Sequence, residues 1–322
     1  MSSYSRREFA KVSTVALAGV CLFPKLNGLR AEEMPVKQLP KPDSKFAGVQ
    51  IGINVPYSFG DASMSGDDVL NNCLQLGLSA VELRTQPVEK ALGVPANLIA
   101  TRKPTDADAK DLAKELANWR KSVAIDRVAE FRKKYETAGV LIEVVKVDNI
   151  FLMTDNELDY IFTLAKTLGG KAISTEISTK DEDQKRLGQF ADKHKFMVGY
   201  HGHTHTGPAD WEKAFSFAKY NGANVDIGHF IAGLDTSPVP FIKEHHERIT
   251  HVHIKDRKMK MHGGDNMPFG EGETPIKEVL RLIRDNKWNI QATIEFEYKV
   301  PAGSTRMAEI ARAIKYCREA LS

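Results

Sequence analysis

Phe196-Met197-Val198-Gly199-Tyr200-His201-Gly202-His203-Thr204-His205 opens as a short β-rich run and ends in histidines two residues apart. Period-two alternation puts His201, His203 and His205 on the face opposite Tyr200, and Gly202 between two of them lets another group approach closely. A helical pattern follows at 209–220 and a further β-rich run at 223–227. The same alternation runs from Phe46 to the end of the chain. It predicts strands at 47–53, 80–84, 141–147, 171–177, 196–201, 223–227, 249–254 and 291–297. Helices are predicted at 66–76, 127–138, 155–168, 182–194, 209–220, 238–246, 275–286 and 304–320. Eight strands and eight helices within 46–322 suit one α/β domain, a (β/α)8 barrel, which typically takes about 250 residues. Periodicity alone does not distinguish a closed barrel from a doubly wound open sheet. Residues 86–126 and 256–274 exceed what a connection needs. Both follow strand C-termini, so each is a candidate lid or substrate loop.

The residues before the barrel differ in kind. Ser5-Arg6-Arg7-Glu8-Phe9-Ala10-Lys11 precedes an apolar stretch from Val12 to Phe23. This resembles a twin-arginine export signal over residues 1–31, with 32–45, which holds Pro35, Pro40 and Pro42, as a linker and 46–322 as the catalytic barrel. The apolar run is too short to span a bilayer comfortably, which favours a cleaved signal and a periplasmic or otherwise exported protein. Cys21 ends a segment loosely like a lipoprotein cleavage box, but the bulky Val20 beside it disfavours a lipid anchor. Only Cys73 and Cys317 remain, too few for a disulfide framework in so long a chain. A net charge of +3 gives no footprint for nucleic acid or a membrane surface.

All ten histidines fall between His194 and His262, and barrel chemistry is supplied by residues at strand C-termini. Glu176 shares a strand face with Ser174 and Ser178. The sixth strand ends in Val225-Asp226-Ile227-Gly228-His229, and in the seventh His251, His253 and Lys255 share a face. The eighth places Glu295 and Glu297 together, opposite two apolar side chains. Inward glutamates are costly to bury unless something positive lies between them. Carboxylates and imidazoles from successive strand ends form a mixed oxygen and nitrogen set suited to a divalent ion such as Mn, Mg, Co or Zn. His194, His245, His246 and His262 read as ordinary core or surface histidines.

The segments Tyr200 to His203, Asp226 to His229, His253 to Arg257, Pro268 to Gly272 and Ile294 to Glu297 carry the motifs Tyr-His-x-His, Asp-x-Gly-His, His-x-Lys-Asp-Arg, Pro-Phe-Gly-Glu-Gly and Ile-Glu-x-Glu. With them the chain resembles the xylose-isomerase-like TIM barrel superfamily of sugar isomerases, epimerases, dehydratases and lyases. Related epimerases hold their metal with Glu, Asp, His and Glu on strands five to eight, which implies Asp226, His253 and Glu295 here. The fifth strand departs from the pattern, since His201 stands where the Glu would be. Glu176 is inferred to supply the missing carboxylate, with His201 or His203 as the rival.

The resemblance implies a metal-dependent sugar isomerase or epimerase working through an enediolate, on a non-phosphorylated or oxidised sugar if the protein is exported. His201, His203, Glu297 and Lys255 are the candidate catalytic residues, the first three as acids or bases. His229, His251, Arg257 and Glu271 are candidate substrate contacts. Lys255 and Arg257 could hold hydroxyls or an anionic group, and Glu271 could close over the substrate. Expulsion of a β-substituent from the same enediolate would make a 3-keto-glycoside lyase or sugar dehydratase instead. A non-catalytic sugar receptor would not need so many ionisable groups at one mouth, and an endonuclease would need basic excess. The expected partner is a small sugar or glycoside. A homo-oligomer stays open.

Overall fold

The computed structural model describes residues 41–99 and 108–322. The export signal expected in 1–31, and most of the linker, lie outside the described residues. The chain is part of the barrel by Ser44, whose hydroxyl donates to the Ile51 carbonyl, and Lys45–Phe46 pairs antiparallel with the strand that follows.

Eight parallel strands form the barrel: β1 (Val49–Val55), β2 (Ala80–Arg84), β3 (Leu141–Lys146), β4 (Ala172–Glu176), β5 (Met197–His201), β6 (Asn221–Asp226), β7 (Ile249–Ile254) and β8 (Gln291–Ile294). Each pairs with its neighbour in sequence, and β8 pairs with β1, which closes the ring and removes the open-sheet alternative. Every predicted strand is present, with ends moved by at most three residues, the largest shift being the eighth strand, which stops at Ile294 and not at 297. The helices are α1 (Gly66–Leu76), α2 (Thr85–Ala91), α3 (Asp108–Ser122), α4 (Ile125–Ala138), α5 (Asp155–Thr167), α6 (Asp181–His194), α7 (Pro208–Phe217), α8 (Ile227–Leu234), α9 (Val239–His245), α10 (Ile276–Asp285) and α11 (Arg306–Leu321). Local chemistry starts them. Ser65 with Asp68 and Thr154 with Glu157 form capping boxes on α1 and α5.

The apolar half of each strand faces the helices, so Ile51, Ile53, Val81, Leu83, Val145, Ile173, Val198, Val225, Val252, Ile254 and Ile294 form one core with them. The other half points inward and is polar: Asn54, Glu82, Lys146, Ser174, His201, Asn224, Asp226, His253 and Glu295 are all buried or, for Glu295, 5% exposed. Barrel interiors are ordinarily filled by branched apolar side chains. Here the interior is given over to ionisable groups.

Two readings are corrected. Residues 227–229 are not the end of a strand. The Asp226 carboxylate accepts the His229 N–H at 2.7 Å and caps α8, so His229 comes from the first turn of a helix. The alternation past His201 also stops, because β5 ends there and 202–207 is a turn. A side chain at Gly202 would meet the Trp211 ring at 2.3 Å, which is the close approach its position suggested.

The two long segments are held differently. Arg120 on α3 is buried and bonds Glu89 of α2 and Glu157 of α5, which ties the described part of 86–126 to the barrel flank. Residues 256–274 fold back on themselves with Asp256 at the centre. Its carboxylate accepts the backbone N–H groups of Gly270, Gly272 and Thr274. A Cβ at Gly272 would stand 2.1 Å from that carboxylate, so glycine is required.

Candidate active site

The C-terminal mouth is organised around Lys255, which leaves β7 two residues after His253. Its Nζ lies 2.6 Å from Glu295 Oε2, 2.6 Å from Glu297 Oε2, 3.0 Å from Asp226 Oδ2 and 3.0 Å from His229 Nε2. One ammonium thus joins carboxylates from the ends of β6 and β8. Burial alone would lower the Lys255 pKa, but these carboxylates raise it above the ordinary lysine value. Burial would also raise Glu295, yet Lys255 and His253 hold it well below the usual carboxylate range. Asp226 moves up, because burial and the neighbouring Glu295 outweigh Lys255.

His253 is wholly buried. Its Nε2 meets Glu82 Oε2 at 2.5 Å, while its Nδ1 faces Glu295 Oε2 at 3.4 Å and Asp226 Oδ2 at 3.8 Å. Burial disfavours its charged form, but Glu82 and Glu295 raise it to about 10. His201 stands beside it, with ring centroids 4.7 Å apart, and is pushed below the ordinary histidine value by burial. Asn224, on the same face of β6 as Asp226, reaches both His201 Nδ1 and His253 Nε2 with its amide.

Asp226, His253 and Glu295, the set the resemblance implied, are therefore brought together. The residues fit a divalent ion. His253 Nδ1 is buried without a hydrogen-bond partner and Asp226 Oδ2 has only the Lys255 ammonium beside it, and atoms from His201, Asp226, His229 and Glu295 lie within 4.8 Å of one another. That is a mixed nitrogen and oxygen donor set. Glu176 is not brought into it. A lysine at the end of β3 takes it instead: Lys146 Nζ bonds Glu176 Oε1 at 2.8 Å and His203 Nε2 meets Oε2 at 2.7 Å. His201 and His229, in place of Glu176, stand beside Asp226 and Glu295. Glu297 accepts from the Tyr57 hydroxyl at 2.8 Å as well as from Lys255.

Arg257 donates to His229 Nδ1 at 2.6 Å and to the Gly264 carbonyl, so it orients a site histidine. Burial first, and Lys255 next, lower His229 to about 3. His251 lies deeper, 3.5 Å from Glu82 Oε1. Glu271 faces Arg312 at 3.5 Å on the exposed surface. Sequence reasoning missed Glu82, Asn54, Tyr57, Lys146 and Asn224. For Glu82 a signal existed, since a lone carboxylate alternating with Val81 and Leu83 in a predicted strand must face inward.

Residues 182–320 match the family model described as Xylose isomerase-like TIM barrel. A comparison with curated protein sequences finds no match. Solved structures share the fold. The probable 3-DHS dehydratase involved in petrobactin synthesis from Bacillus anthracis is 15% identical with a TM-score of 0.57, covering 83% of this chain and 98% of its own. The 3-keto-D-glucoside 4-epimerase of E. coli is 14% identical with a TM-score of 0.55, covering 84% and 99%. A xylose isomerase-like TIM barrel protein from Mycobacterium smegmatis, in complex with magnesium, is 14% identical with a TM-score of 0.54, covering 86% and 99%. The fold is thus a TIM barrel of the xylose isomerase-like type.

Proposed function

We propose that this chain is a metal-dependent isomerase or epimerase acting on a non-phosphorylated or oxidised sugar, exported through the signal read in residues 1–31. One observation carries the reading. Two acid–base pairs flank the Asp226, His253 and Glu295 cluster: His203 with Glu176 from β4 and β5, and Glu297 with Tyr57 from β8 and the segment after β1. These strands stand four apart in a ring of eight, on opposite sides of the mouth. Epimerisation needs that arrangement, because one group removes the proton beside a carbonyl and another returns one to the opposite face.

A divalent ion held by Asp226, His253, Glu295 and a neighbouring histidine would supply Lewis-acid polarisation of the carbonyl oxygen. Glu297, oriented by the Tyr57 hydroxyl, is placed to take the proton from carbon. His203 is raised above its ordinary value by its hydrogen bond to Glu176, against the effect of burial, and so is suited to deliver a proton. Lys146 and Arg84 are already neutralised by Glu176 and Asp148. A mouth rich in carboxylates favours an uncharged sugar over a phosphorylated one.

The Bacillus anthracis dehydratase and the E. coli epimerase share this barrel, which supports a carbon-acid reaction and keeps β-elimination, by a lyase or dehydratase, as the second reading. Incubating Mn2+-loaded protein with keto-sugars and 3-keto-glycosides in deuterated water, followed by NMR, tests this. Deuterium entering with inversion supports the epimerase, and an unsaturated product supports elimination. Absence of exchange from every substrate would leave a sugar-binding receptor.

A further inference from the structure

Glu82 lies within β2 with no exposed surface. A carboxylate with no water is costly unless its partners are well placed, so its contacts say what it does. Among the described residues it makes no ion pair with Lys or Arg. Its partners are two histidines of β7, His253 and His251. A carboxylate only accepts, so the 2.5 Å contact with Glu82 Oε2 assigns the donated proton to His253 Nε2, and the Asn224 side-chain amide 3.1 Å away must then turn its oxygen to that N–H. The other carboxylate oxygen faces His251 Nε2. That ring is fixed on its far side, where Nδ1 meets Thr250 Oγ1 at 2.8 Å. Thr250 Oγ1 gives its own proton to the Ala223 carbonyl. Oε1 makes no hydrogen bond, so Glu82 grips the back of the His253 ring through Oε2 alone, which turns Nδ1 toward Asp226 and Glu295.

We propose that Glu82 is a positioning residue: by holding His253 Nε2–H it presents Nδ1 as the ligand atom to the cation shared with Asp226 and Glu295. The inference rests on the metal reading above, and goes beyond it by assigning the ligand atom and the group behind it. A carboxylate behind a ligating imidazole fixes ring orientation and raises ligand basicity, and its loss typically costs about 10–100-fold in metal affinity. A carboxylate kept only for folding would leave metal affinity unchanged once the barrel is formed.

The test uses the full barrel, stripped of metal, with Mn2+ as probe in calorimetry. Glu82→Gln, checked by circular dichroism for a native spectrum, should bind Mn2+ about 10–100-fold more weakly than the wild-type protein. Should Glu82→Gln fail to fold, the wild-type protein decides alone. On titration with diamagnetic Zn2+, the His253 Nδ1 resonance in imidazole 15N NMR should move while Nε2 keeps its proton. Folded Glu82→Gln with unchanged affinity, or Zn2+ bound through Nε2, would overturn the role of Glu82 and leave the metal reading intact. Wild-type protein that binds neither ion would instead remove the metal reading and this inference with it.

Discussion

Lys255 Nζ sits 2.6 Å from Glu295 Oε2, at the point where the carboxylates of Asp226, Glu295 and Glu297 converge. There the ammonium is the counter-ion of groups that a divalent ion would also use. Lys255→Met should therefore bind Mn2+ more tightly, by about tenfold or more, since one positive charge is removed beside the ion. The same change strands buried carboxylates and should lower metal-free stability by about 3–5 kcal/mol. Calorimetric titration and urea unfolding measure the two effects. Weaker Mn2+ binding in the variant would show that Lys255 supports the ion and does not compete with it.

Asp226 has a double duty, since one oxygen caps α8 and the other faces Lys255 and His253. Asp226→Ala should lose bound metal and turnover while the barrel still folds, at a cap cost of about 0.5–2 kcal/mol. Metal stoichiometry, turnover and urea midpoint check this. Full metal content with normal turnover would remove Asp226 from the site.

The period of two made Glu295 and Glu297 neighbours in the sequence, and the structure separates their surroundings. Glu295 is enclosed by Asn54, Lys255 and His253, whereas Glu297 reaches Tyr57 nearer the rim. Glu295→Gln should weaken metal binding, because an amide poorly replaces a charged ligand. Glu297→Gln should keep the metal and lose about 10²–10⁴ in turnover. Metal assays paired with turnover would exchange the two roles if the losses fall the other way round.

The strands were legible because alternation is a local property, and so is the face a residue takes, whereas the set Asp226, His253 and Glu295 was implied by the family resemblance of their motifs. What crosses the barrel was not legible. The pairing of Glu82 with His253 joins β2 to β7 over 171 residues, and no spacing encodes it. Glu176 was placed on the correct face, yet the side chain that claims it, Lys146, lies on the neighbouring strand. His229 was read as strand by running the sixth strand on through Ile227 and Gly228, whereas the Asp226 side chain caps a helix that starts there.

Arg6 and Arg7 lie outside the described residues, and the compartment is tested in cells. If paired arginines are the recognised feature, Arg6→Lys with Arg7→Lys keeps the charge but should hold the protein in the cytoplasm. Fractionation of cells expressing both forms reads this directly, and unaltered export of the variant would withdraw the compartment assignment.

His203 and Glu176 form a pair at the rim, with both side chains 45% exposed, so the coupling is read in pH dependence and not in stability energy. The hydrogen bond to Glu176 raises His203 above 6.5, its ordinary value. The stabilisation of charged His203 is therefore complete below 6.5 and is lost as pH rises through the raised value. Glu176 is the mirror case. Burial pushes it up, but Lys146 and His203 hold it far below 4.5, so its contribution is present above 4.5 and fades as pH falls. Glu176→Gln removes the acceptor that favours charged His203, and the histidine should titrate at lower pH. If His203 is the proton donor, the alkaline limb of kcat/KM should move down by the same amount. NMR titration of the His203 ring beside the pH–rate profile provides the check. A ring that shifts while the rate profile stays fixed would assign the donor role to another group at the mouth.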